Sequence, residues 1–365
     1  MNKETERNAF HWLYLCRQLY NACLEQRIDA YSRCGVTLSD YTQQKELKHL
    51  KVSFPKYKEV GSQVLKEVVR DLDKAFKSFF RRAKSGAGKQ SGFPKFKGRD
   101  FFNSFRFPNS SGWKLNGSVM TIKYVGDIRI KMDRPIEGVI KTVTVKHTNT
   151  GKWFVVFSCD DVPTKPLHAT GRSVGIDVGI KNLLTDSDGR SLPRLDLTQS
   201  NERRLRVLSR KLARQKKGSK RRAETKRLIG ILHEKIANSR EDYACKIAHN
   251  YTQQYDLIVM EDLAVKQMIG KSGSTMKKSI TDAAWTSLRH RLTNKVEEFE
   301  RTLITVDPAY TSMTCSMCDH LQDMPLDTRV YNCPKCGLTL DRDHNAAINI
   351  LKRGQADLAN ANVSQ

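Results

Sequence analysis

Four cysteines towards the C-terminal end of the chain have the spacing of a metal site. Cys315 and Cys318 are separated by two residues, and Cys333 and Cys336 repeat that spacing after fourteen intervening residues. Two such pairs are typical of a tetrahedral zinc site with four thiolate ligands. The sequence therefore predicts one structural Zn²⁺ bound by these four side chains.

Three acidic residues share one sequence context, because each lies at an end of a short apolar segment. Asp177 ends Val174-Gly-Ile-Asp, Glu261 ends Ile258-Val-Met-Glu, and Asp343 precedes Asn345-Ala-Ala-Ile-Asn-Ile. Hydrolysis of a phosphodiester bond commonly uses two divalent ions about 3.5–4 Å apart, and Mg²⁺ prefers carboxylate oxygens. A single acid at a strand end is ordinarily only solvated, but three that converge at one sheet edge would suit two Mg²⁺ ions.

The composition indicates a soluble globular protein that binds a polyanion. The chain has 365 residues, which predicts two or three domains, and no window approaches the roughly 18–20 apolar residues of a membrane span. Its formal net charge is +25, which is costly to a compact fold unless an anionic partner neutralises it. Nucleic acid is the expected partner. An anionic membrane surface is the alternative, although no amphipathic anchor stands out.

The N-terminal residues and the single cysteines predict a cytoplasmic protein. The first residues are polar and lack the apolar core of a secretory signal. This usage of cysteine fits a reducing compartment, and we expect a prokaryotic protein that associates with the nucleoid when it binds DNA. Five cysteines outside the two pairs are expected to be buried free thiols: Cys16, Cys23, Cys34, Cys159 and Cys245.

Hydrophobic periodicity divides the chain into a helical, a β and a mixed α/β part. Residues 5–84 have apolar residues at helical spacing, with breaks at Gly35 and Pro55. From about 104 to 162 the period changes to two, which predicts a small antiparallel barrel or sheet. The pattern then predicts strands at 173–177, 182–185, 190–197, 257–261 and 303–306, a helical hairpin over 201–254, a helix over 283–300, and a closing helix from Ala346 that frays from Gln355.

Two basic segments are candidates for contact with nucleic acid. The loop 85–99, which includes Lys89, interleaves basic residues with Phe93 and Phe96, a composition suited to phosphate contacts and base stacking. A flexible surface loop with two anchoring aromatics is an equally good interpretation. Between residues 201 and 240, fifteen Lys and Arg accompany three Glu, too many for i,i+4 pairing to be their purpose. The candidate contacts are Lys95, Lys97, Arg203, Arg210, Arg214 and Lys217.

The motifs around the acids and cysteines together resemble a known family. Val174–Leu183, Ile258–Leu263 and Asp341–Ile350 look like the three motifs of a RuvC-type nuclease domain. Asp307–Cys318 is similar to the entry into the zinc ribbon of the transposon-encoded TnpB family, which is related to the type V CRISPR effector nucleases. Three segments of the N-terminal half agree with the same family: Cys16–Asn21, Asp71–Phe80 and Gly92–Lys97.

The resemblance implies an RNA-guided DNA endonuclease with an α/β fold. It implies an RNase H-like RuvC nuclease domain over 166–311 and 341–365, with a zinc-ribbon insert over 312–340 that binds target nucleic acid. An α-helical recognition domain over 1–104 and a small antiparallel β-barrel domain over 105–165 would precede it. The implied partners are a guide RNA from the transposon end and target double-stranded DNA next to a short adjacent motif. Mg²⁺ would be held by the family's acids, here Asp177, Glu261 and Asp343.

Other acids lie close to the three candidates in sequence. Asp341 competes with Asp343, but the family aspartate lies two residues before the Asn of Asn-Ala-Ala, which is Asp343. Asp186 and Asp262 are expected to be bystanders. The resemblance therefore assigns the third role to Asp343.

Two further features bear on the family pattern. His320 and His344 lie near the zinc motif as alternative ligands, although four thiolates already complete a tetrahedron. The family usually opens with a short β-strand before its first helix, whereas this chain starts almost inside that helix. We therefore expect the β domain to lack one strand.

Two other functions are compatible with the same motifs. One is an RNA-guided DNA-binding repressor that does not cut, although such relatives lose acidic residues and all three are present here. The other is an RNA-independent RuvC-type transposase or resolvase, which the fold alone does not distinguish.

Overall fold

The computed structural model describes residues 1–85, 92–325 and 327–363. The chain forms two compact units, Met1–Pro163 and Thr164–Gln365. Lys89 lies outside the described residues. The division into four domains is finer than these two units and stays a prediction.

The first unit begins with the helices α1 (Lys3–Cys34), α2 (Asp40–Ser53) and α3 (Ser62–Lys84), and with short 3₁₀ turns at Pro55–Glu59 and Arg99–Phe101. The side chain of Asn2 caps α1 by accepting a hydrogen bond from the N–H of Thr5 at 2.7 Å. Gly35 ends α1 at φ 66°, a backbone conformation that glycine adopts without a steric penalty. The predicted helical region with breaks at Gly35 and Pro55 is confirmed.

The five cysteines outside the two pairs differ in their burial. Cys16 and Cys23 are buried, as predicted, and burial raises the pKa of Cys16 to about 12. Cys34 is exposed, so the prediction is wrong there, because this residue ends α1 just before the chain turns at Gly35. Cys159 and Cys245 are half-buried.

Two three-stranded antiparallel sheets complete the first unit. The strand orders are β1-β5-β6 and β2-β3-β4. These pairings do not by themselves close a barrel, so the barrel stays a prediction. A tight turn that contains Gly151 at φ 89° joins β5 to β6. The strands are β1 (Ser104–Phe107), β2 (Trp113–Asn116), β3 (Val119–Ile122), β4 (Gly126–Arg129), β5 (Val139–His147) and β6 (Trp153–Asp160).

Helices and strands of the first unit share one hydrophobic core. Trp12 of α1 and Leu72 of α3 are buried in the same cluster as Phe107, Met120 and Val143 of the sheets. The helices and both sheets of this unit therefore pack as one body.

The second unit is built on a five-stranded mixed sheet with the order β11-β10-β7-β8-β9. Strands β7, β10 and β11 are parallel, and β8 runs antiparallel to both of its neighbours, β7 and β9. β10 is buried at every position, as its continuous apolar run predicts. The strands are β7 (Ser173–Val178), β8 (Asn182–Asp186), β9 (Ser191–Pro193), β10 (Leu257–Glu261) and β11 (Thr302–Val306).

The predicted helical hairpin is present before β10. Gly218 at φ 84° turns the chain, and the Ser219 side chain caps the second helix by accepting from the N–H of Arg222 at 3.2 Å. The helices of the second unit are α4 (Leu197–Arg214), α5 (Lys220–Gln254), α6 (Val265–Lys271), α7 (Ser274–Ala283), α8 (Trp285–Phe299) and α9 (Arg342–Val363).

The closing helix is longer than the sequence predicts. α9 begins at Arg342 rather than Ala346 and continues past Gln355 to Val363, so the predicted fraying is wrong. Gly354 lies against Val259 of β10, which anchors the helix to the sheet just before the segment expected to fray. Once anchored, a helix extends at little cost per residue.

The two faces of the sheet are covered by different helices. Ile176 of β7 and Met260 of β10 are buried with residues of α5 and α8. Val259 of β10 is buried on the other face, in a cluster with Ile350 of α9. Side chains therefore alternate between the two faces along each strand.

A small hairpin precedes α9. Strands β12 (Val330–Asn332) and β13 (Thr339–Asp341) pair antiparallel, and the turn between them carries Cys333 and Cys336. Of the helices in the part of the chain that the structure describes, none combines the length and the apolar character needed to cross a membrane.

Candidate active site and metal centre

Asp177 and Glu261 lie at the carboxyl ends of neighbouring parallel strands. The register of β7 and β10 pairs Ile176 with Met260, so Asp177 and Glu261 are the next residue on each strand. Because Ile176 and Met260 face α5 and α8, alternation directs both acids to the opposite face, which α9 covers.

Asp343 reaches the same edge because it lies in the first turn of α9. The helix packs very closely on β7: a Cβ added to Gly175 would lie 2.1 Å from the carbonyl oxygen of Ala347. Asp343 lies about one helical turn before Ala347, and Asp177 lies two residues beyond Gly175. The structure therefore brings together the three acids that the sequence predicts.

Asp341, the competitor for the third role, caps α9. Its Oδ1 accepts hydrogen bonds from the N–H groups of Asp343 at 2.9 Å and His344 at 3.2 Å. A side chain that satisfies the first N–H groups of a helix serves that helix. This occupation favours Asp343 over Asp341, although the role of Asp343 stays a prediction.

Burial and neighbouring charge disfavour the ionisation of these acids, and of Asp177 most strongly. Burial, and then the charges of Glu261 and Asp343, hold the pKa of Asp177 well above its ordinary range. Burial is also the first cause that raises the pKa of Glu261 and of Asp343. A divalent cation among these carboxylates would relieve their repulsion.

The carboxylates are more widely spread than the cysteines. Among the described residues, the four cysteines alone form a group of three or more metal-binding side chains whose donor atoms all lie within 4.8 Å of one another. If the three carboxylates bind two metal ions between them, their oxygen atoms need not all lie within the coordination sphere of one ion. The hard oxygen donors of Asp177, Glu261 and Asp343 fit Mg²⁺ in type.

Glu261 also borders a cavity of about 310 Å³. Its wall includes the apolar side chains of Val178, Met260 and Trp285, together with Arg289.

The two predicted bystander acids have partners of their own. Asp262 forms an ion pair with Arg289. Asp186 is fully buried and accepts a hydrogen bond from the hydroxyl of Tyr251 at 2.8 Å. Both side chains are thus engaged with neighbouring elements.

The four cysteines form a cluster that could bind a metal such as zinc. The Sγ atoms of Cys315 and Cys336 are 3.6 Å apart, and so are those of Cys318 and Cys333. A tetrahedron with Zn–S bonds of about 2.3 Å requires sulfur separations of about 3.8 Å. Burial alone would raise the pKa of Cys333, but the backbone N–H groups of Cys336 and Lys335 lower it to about 6, whereas the pKa values of Cys318 and Cys336 are raised.

The predicted nucleic-acid contacts are mostly exposed. Four of them lie on or just after α4, and none of these four forms an ion pair within the described ranges: Arg203, Arg210, Arg214 and Lys217. Lys95 is exposed, whereas the Nζ of Lys97 lies 5.7 Å from the centroid of the Tyr20 ring. Their contacts with nucleic acid stay predictions.

The aromatic residues of the basic loop differ from each other. The Phe93 ring packs edge-on against Phe76 and Phe79, with centroids 5.4 and 5.3 Å apart. Phe96 is 56 % exposed. Phe93 is 46 % exposed in spite of these contacts, so packing rather than exposure distinguishes the two rings.

Comparison with known proteins identifies the family. Residues 140–272 match the family model OrfB_IS605, described as "Probable transposase", and residues 285–350 match the TNB domain of Cas12f1-like proteins. The chain is 32% identical over 316 residues to "Putative RNA-guided DNA endonuclease InsQ" of Escherichia coli K12, which covers 83% of this chain and 77% of that protein. It is 26% identical over 238 residues to "TnpB-like protein L770" of Acanthamoeba polyphaga mimivirus, covering 62% of this chain and 46% of that protein.

This chain belongs to the TnpB family. A TnpB relative from Streptomyces pristinaespiralis, named "Putative RNA-guided DNA endonuclease", is 32% identical over 354 residues, which cover 93% of this chain and 84% of that protein. The resemblance inferred from the motifs is confirmed. Asp177 and Glu261 fall within the OrfB_IS605 match, and Asp343 with the four cysteines falls within the TNB match.

Several side chains of this TnpB site were not singled out from the sequence. Thr311, which is buried, donates a hydrogen bond to Oε1 of Glu261 at 2.6 Å. Asn345 and Asn349 are buried and bind the chain that leads into the cysteines. Their i,i+4 spacing on an apolar helix was the available signal, because two amides on one buried face need partners.

Proposed function

We propose that this TnpB protein is an RNA-guided DNA endonuclease that hydrolyses target double-stranded DNA next to a short adjacent motif. The observation that carries the proposal is the convergence of Asp177, Glu261 and Asp343 at one edge of the mixed sheet. A sheet in which three antiparallel strands are followed by two parallel ones, with acids at this edge, supports an RNase H-like RuvC domain. Guide RNA from the transposon end would supply sequence specificity by base pairing.

The side chains of the site have separable roles in this proposal. Asp177, Glu261 and Asp343 would hold Mg²⁺, which when bound activates water and stabilises the leaving oxygen. Asp341 caps α9 and binds the backbone N–H of Asp343, which would fix the direction in which the Asp343 side chain points from the helix. The presence of all three acids favours cutting over binding alone.

The cysteines would hold one structural Zn²⁺ in a ribbon that contacts target nucleic acid. We expect roughly one zinc per chain, lost in Cys333→Ser and retained in Cys34→Ser. Cys34 is exposed and lies outside the cluster, so it is the matched control. Metal analysis of the purified variants makes the comparison.

The decisive experiment starts from protein purified from its native locus. Co-purifying RNA is sequenced, and the ribonucleoprotein is given plasmids with a matched target beside randomised flanks, in Mg²⁺ or in EDTA. We expect Mg²⁺-dependent double-strand cleavage that depends on the RNA. Absence of bound RNA, or cleavage without it, would contradict the proposal.

A pair of variants tests the site itself. Asp177→Ala should abolish cleavage and leave RNA and DNA binding largely intact, because it removes a metal ligand. Asp262→Ala removes an exposed acid next to Glu261 and should retain most cleavage. Cutting by Asp177→Ala at the wild-type rate would overturn the assignment.

A further inference from the structure

One face of α9 holds the chain segment that leads into the cysteine cluster, residues 307–316. Asn349 donates from Nδ2 to the carbonyl oxygens of Thr311 at 2.9 Å and Thr314 at 2.7 Å. Asn345 donates to Thr314 at 2.8 Å and accepts from the N–H of Ser316 at 2.9 Å. Because both amides are buried, leaving either one unpaired would be costly.

The two ends of the same segment are fixed by further α9 side chains. Arg353 donates to the carbonyl oxygens of Asp307 at 2.9 Å and Ala309 at 2.6 Å. Lys352 donates to the carbonyl oxygen of Ser316. The 307–316 segment is therefore bound along its length by the helix whose first turn carries Asp343.

A side chain of this segment reaches the proposed magnesium site. The hydroxyl of Thr311 donates to Oε1 of Glu261 at 2.6 Å, and Thr311 itself is 4 % exposed. Asn349 holds the carbonyl oxygen of the same residue, so the threonine backbone is fixed while its hydroxyl binds the carboxylate. A buried hydrogen bond to a charged group is among the stronger ones in proteins.

The segment also carries a cysteine of the cluster. Cys315 is fully buried, and its neighbour Ser316 is the residue that Asn345 binds. The cysteine cluster and the carboxylate edge are thus joined by one continuous, hydrogen-bonded segment, in which Thr311 and Cys315 are four positions apart.

We propose that Thr311 is a positioning residue for Glu261, and that the 307–316 segment makes the proposed magnesium site depend on the cysteine cluster. The hydroxyl fixes the orientation of the carboxylate, leaving Oε2 to meet a cation. The α9 amides and Cys315 hold the segment in place. This inference rests on the proposed function, since it concerns ligands of the proposed metal site.

The test measures binding of Mn²⁺ to the full-length protein by electron paramagnetic resonance, in parallel with cleavage. Mn²⁺ prefers oxygen ligands and does not compete well for thiolates. Thr311→Val removes the donor at nearly constant volume, and Thr311→Ser retains it. Thr225→Val in α5 is the matched control, because the buried Thr225 hydroxyl donates to a backbone carbonyl oxygen, that of Arg221, outside the 307–316 segment.

We expect Thr311→Val to weaken Mn²⁺ binding roughly 10-fold, the scale of one hydrogen bond to a charged group. Thr311→Ser should restore affinity to within about 2-fold, and Thr225→Val should leave it unchanged. In the background Glu261→Gln, the valine variant should cause no further loss, because the group that it orients is gone. Thr311→Val with wild-type affinity, or a serine variant as weak as the valine variant, would overturn the inference.

Two additional variants separate the possible failures. Asp177→Asn should abolish the binding of Mn²⁺. If this variant still binds Mn²⁺, both the assignment of the metal site and this inference are wrong. If Asp177→Asn abolishes binding and Thr311→Val has no effect on it, only the inference about Thr311 is wrong. Should Thr311→Val not fold, Asn349→Leu is expected to give a loss of affinity in the same direction, and unchanged affinity in that variant would count against the proposal.

Discussion

At the scale of single residues, the cost of the carboxylate cluster is electrostatic. Burial and the neighbouring charges of Glu261 and Asp343 raise the pKa of Asp177. The folded protein without metal therefore binds more protons at this position than the unfolded chain does. The free energy of unfolding then decreases as pH rises from the ordinary aspartate pKa to the raised one.

This sign predicts that Asp177→Asn stabilises the metal-free protein. In EDTA at about pH 8, the variant should melt a few degrees above the wild type, because the amide carries no charge to repel. The difference should shrink as pH falls towards about 4, where the wild-type carboxyl is protonated. Thermal melting followed by circular dichroism across this range measures it.

Mg²⁺ should reverse the order of the two melting temperatures. The cation binds the folded wild type and stabilises it by mass action, whereas the variant lacks a ligand. Asp262→Asn is the control, because Asp262 is an exposed acid that pairs with Arg289. We expect no rise in the melting temperature of this variant in EDTA. A variant that melts no higher than the wild type in EDTA would contradict this account of the site.

At the scale of elements, two glycines set the position of α9 on the sheet. A Cβ at Gly175 of β7 would collide with the backbone of α9, and a Cβ at Gly354 of α9 would lie 2.4 Å from Cγ1 of Val259. Only hydrogen in place of a side chain allows this approach. The position of Asp343 therefore depends on packing that extends well beyond its own helical turn.

Gly354→Ala should destabilise the second unit by about 1–3 kcal/mol, because the added methyl group overpacks the contact with Val259. Cleavage should fall as well, since a shifted α9 moves Asp343. Gly270→Ala in α6 is the matched control: nothing lies within 4 Å of its Cβ position, and alanine favours helix. Urea denaturation of both variants makes the comparison, and equal stabilities would show that the close approach is unimportant.

At the scale of the whole molecule, the dominant property is charge. The net charge of +25 is concentrated in segments such as the α4–α5 hairpin. Some of its arginines are neutralised locally, as Arg206 is by Glu202 at 3.3 Å and Arg227 is by Glu224 at 2.9 Å. Exposed arginines without such a partner are free to meet phosphates.

This difference predicts which residues govern the salt dependence of binding. Replacing Arg203, Arg210 and Arg214 by alanine should weaken nucleic-acid binding and lower the slope of log affinity against log salt by about 0.7–0.9 for each phosphate that is no longer neutralised. Replacing the paired Arg206 and Arg227 should change the slope less. Filter-binding titrations over a range of salt concentrations measure both sets, and equal slopes would exclude this face as the contact.

The sequence by itself determined the family, the order of elements and the identity of the candidate ligands. These features are local properties that can be recognised from short stretches of sequence. They are the paired cysteines, the acids at the ends of apolar runs and the hydrophobic periodicity. The breaks at Gly35 and Pro55 and the turn at Gly218 could be predicted for the same reason, since a left-handed or helix-breaking backbone follows from the residue type.

Tertiary structure alone decided which acids meet and what holds them. Strand order and register place Asp177 beside Glu261, and neither follows from local pattern, because pairing joins residues far apart in the chain. The helix cap formed by Asp341 adds a structural reason for preferring Asp343, which the family motif had already favoured. The link from Thr311 to Glu261 depends on a contact across fifty residues. The length of α9 was underestimated because its stability comes from packing against Val259 rather than from its own sequence.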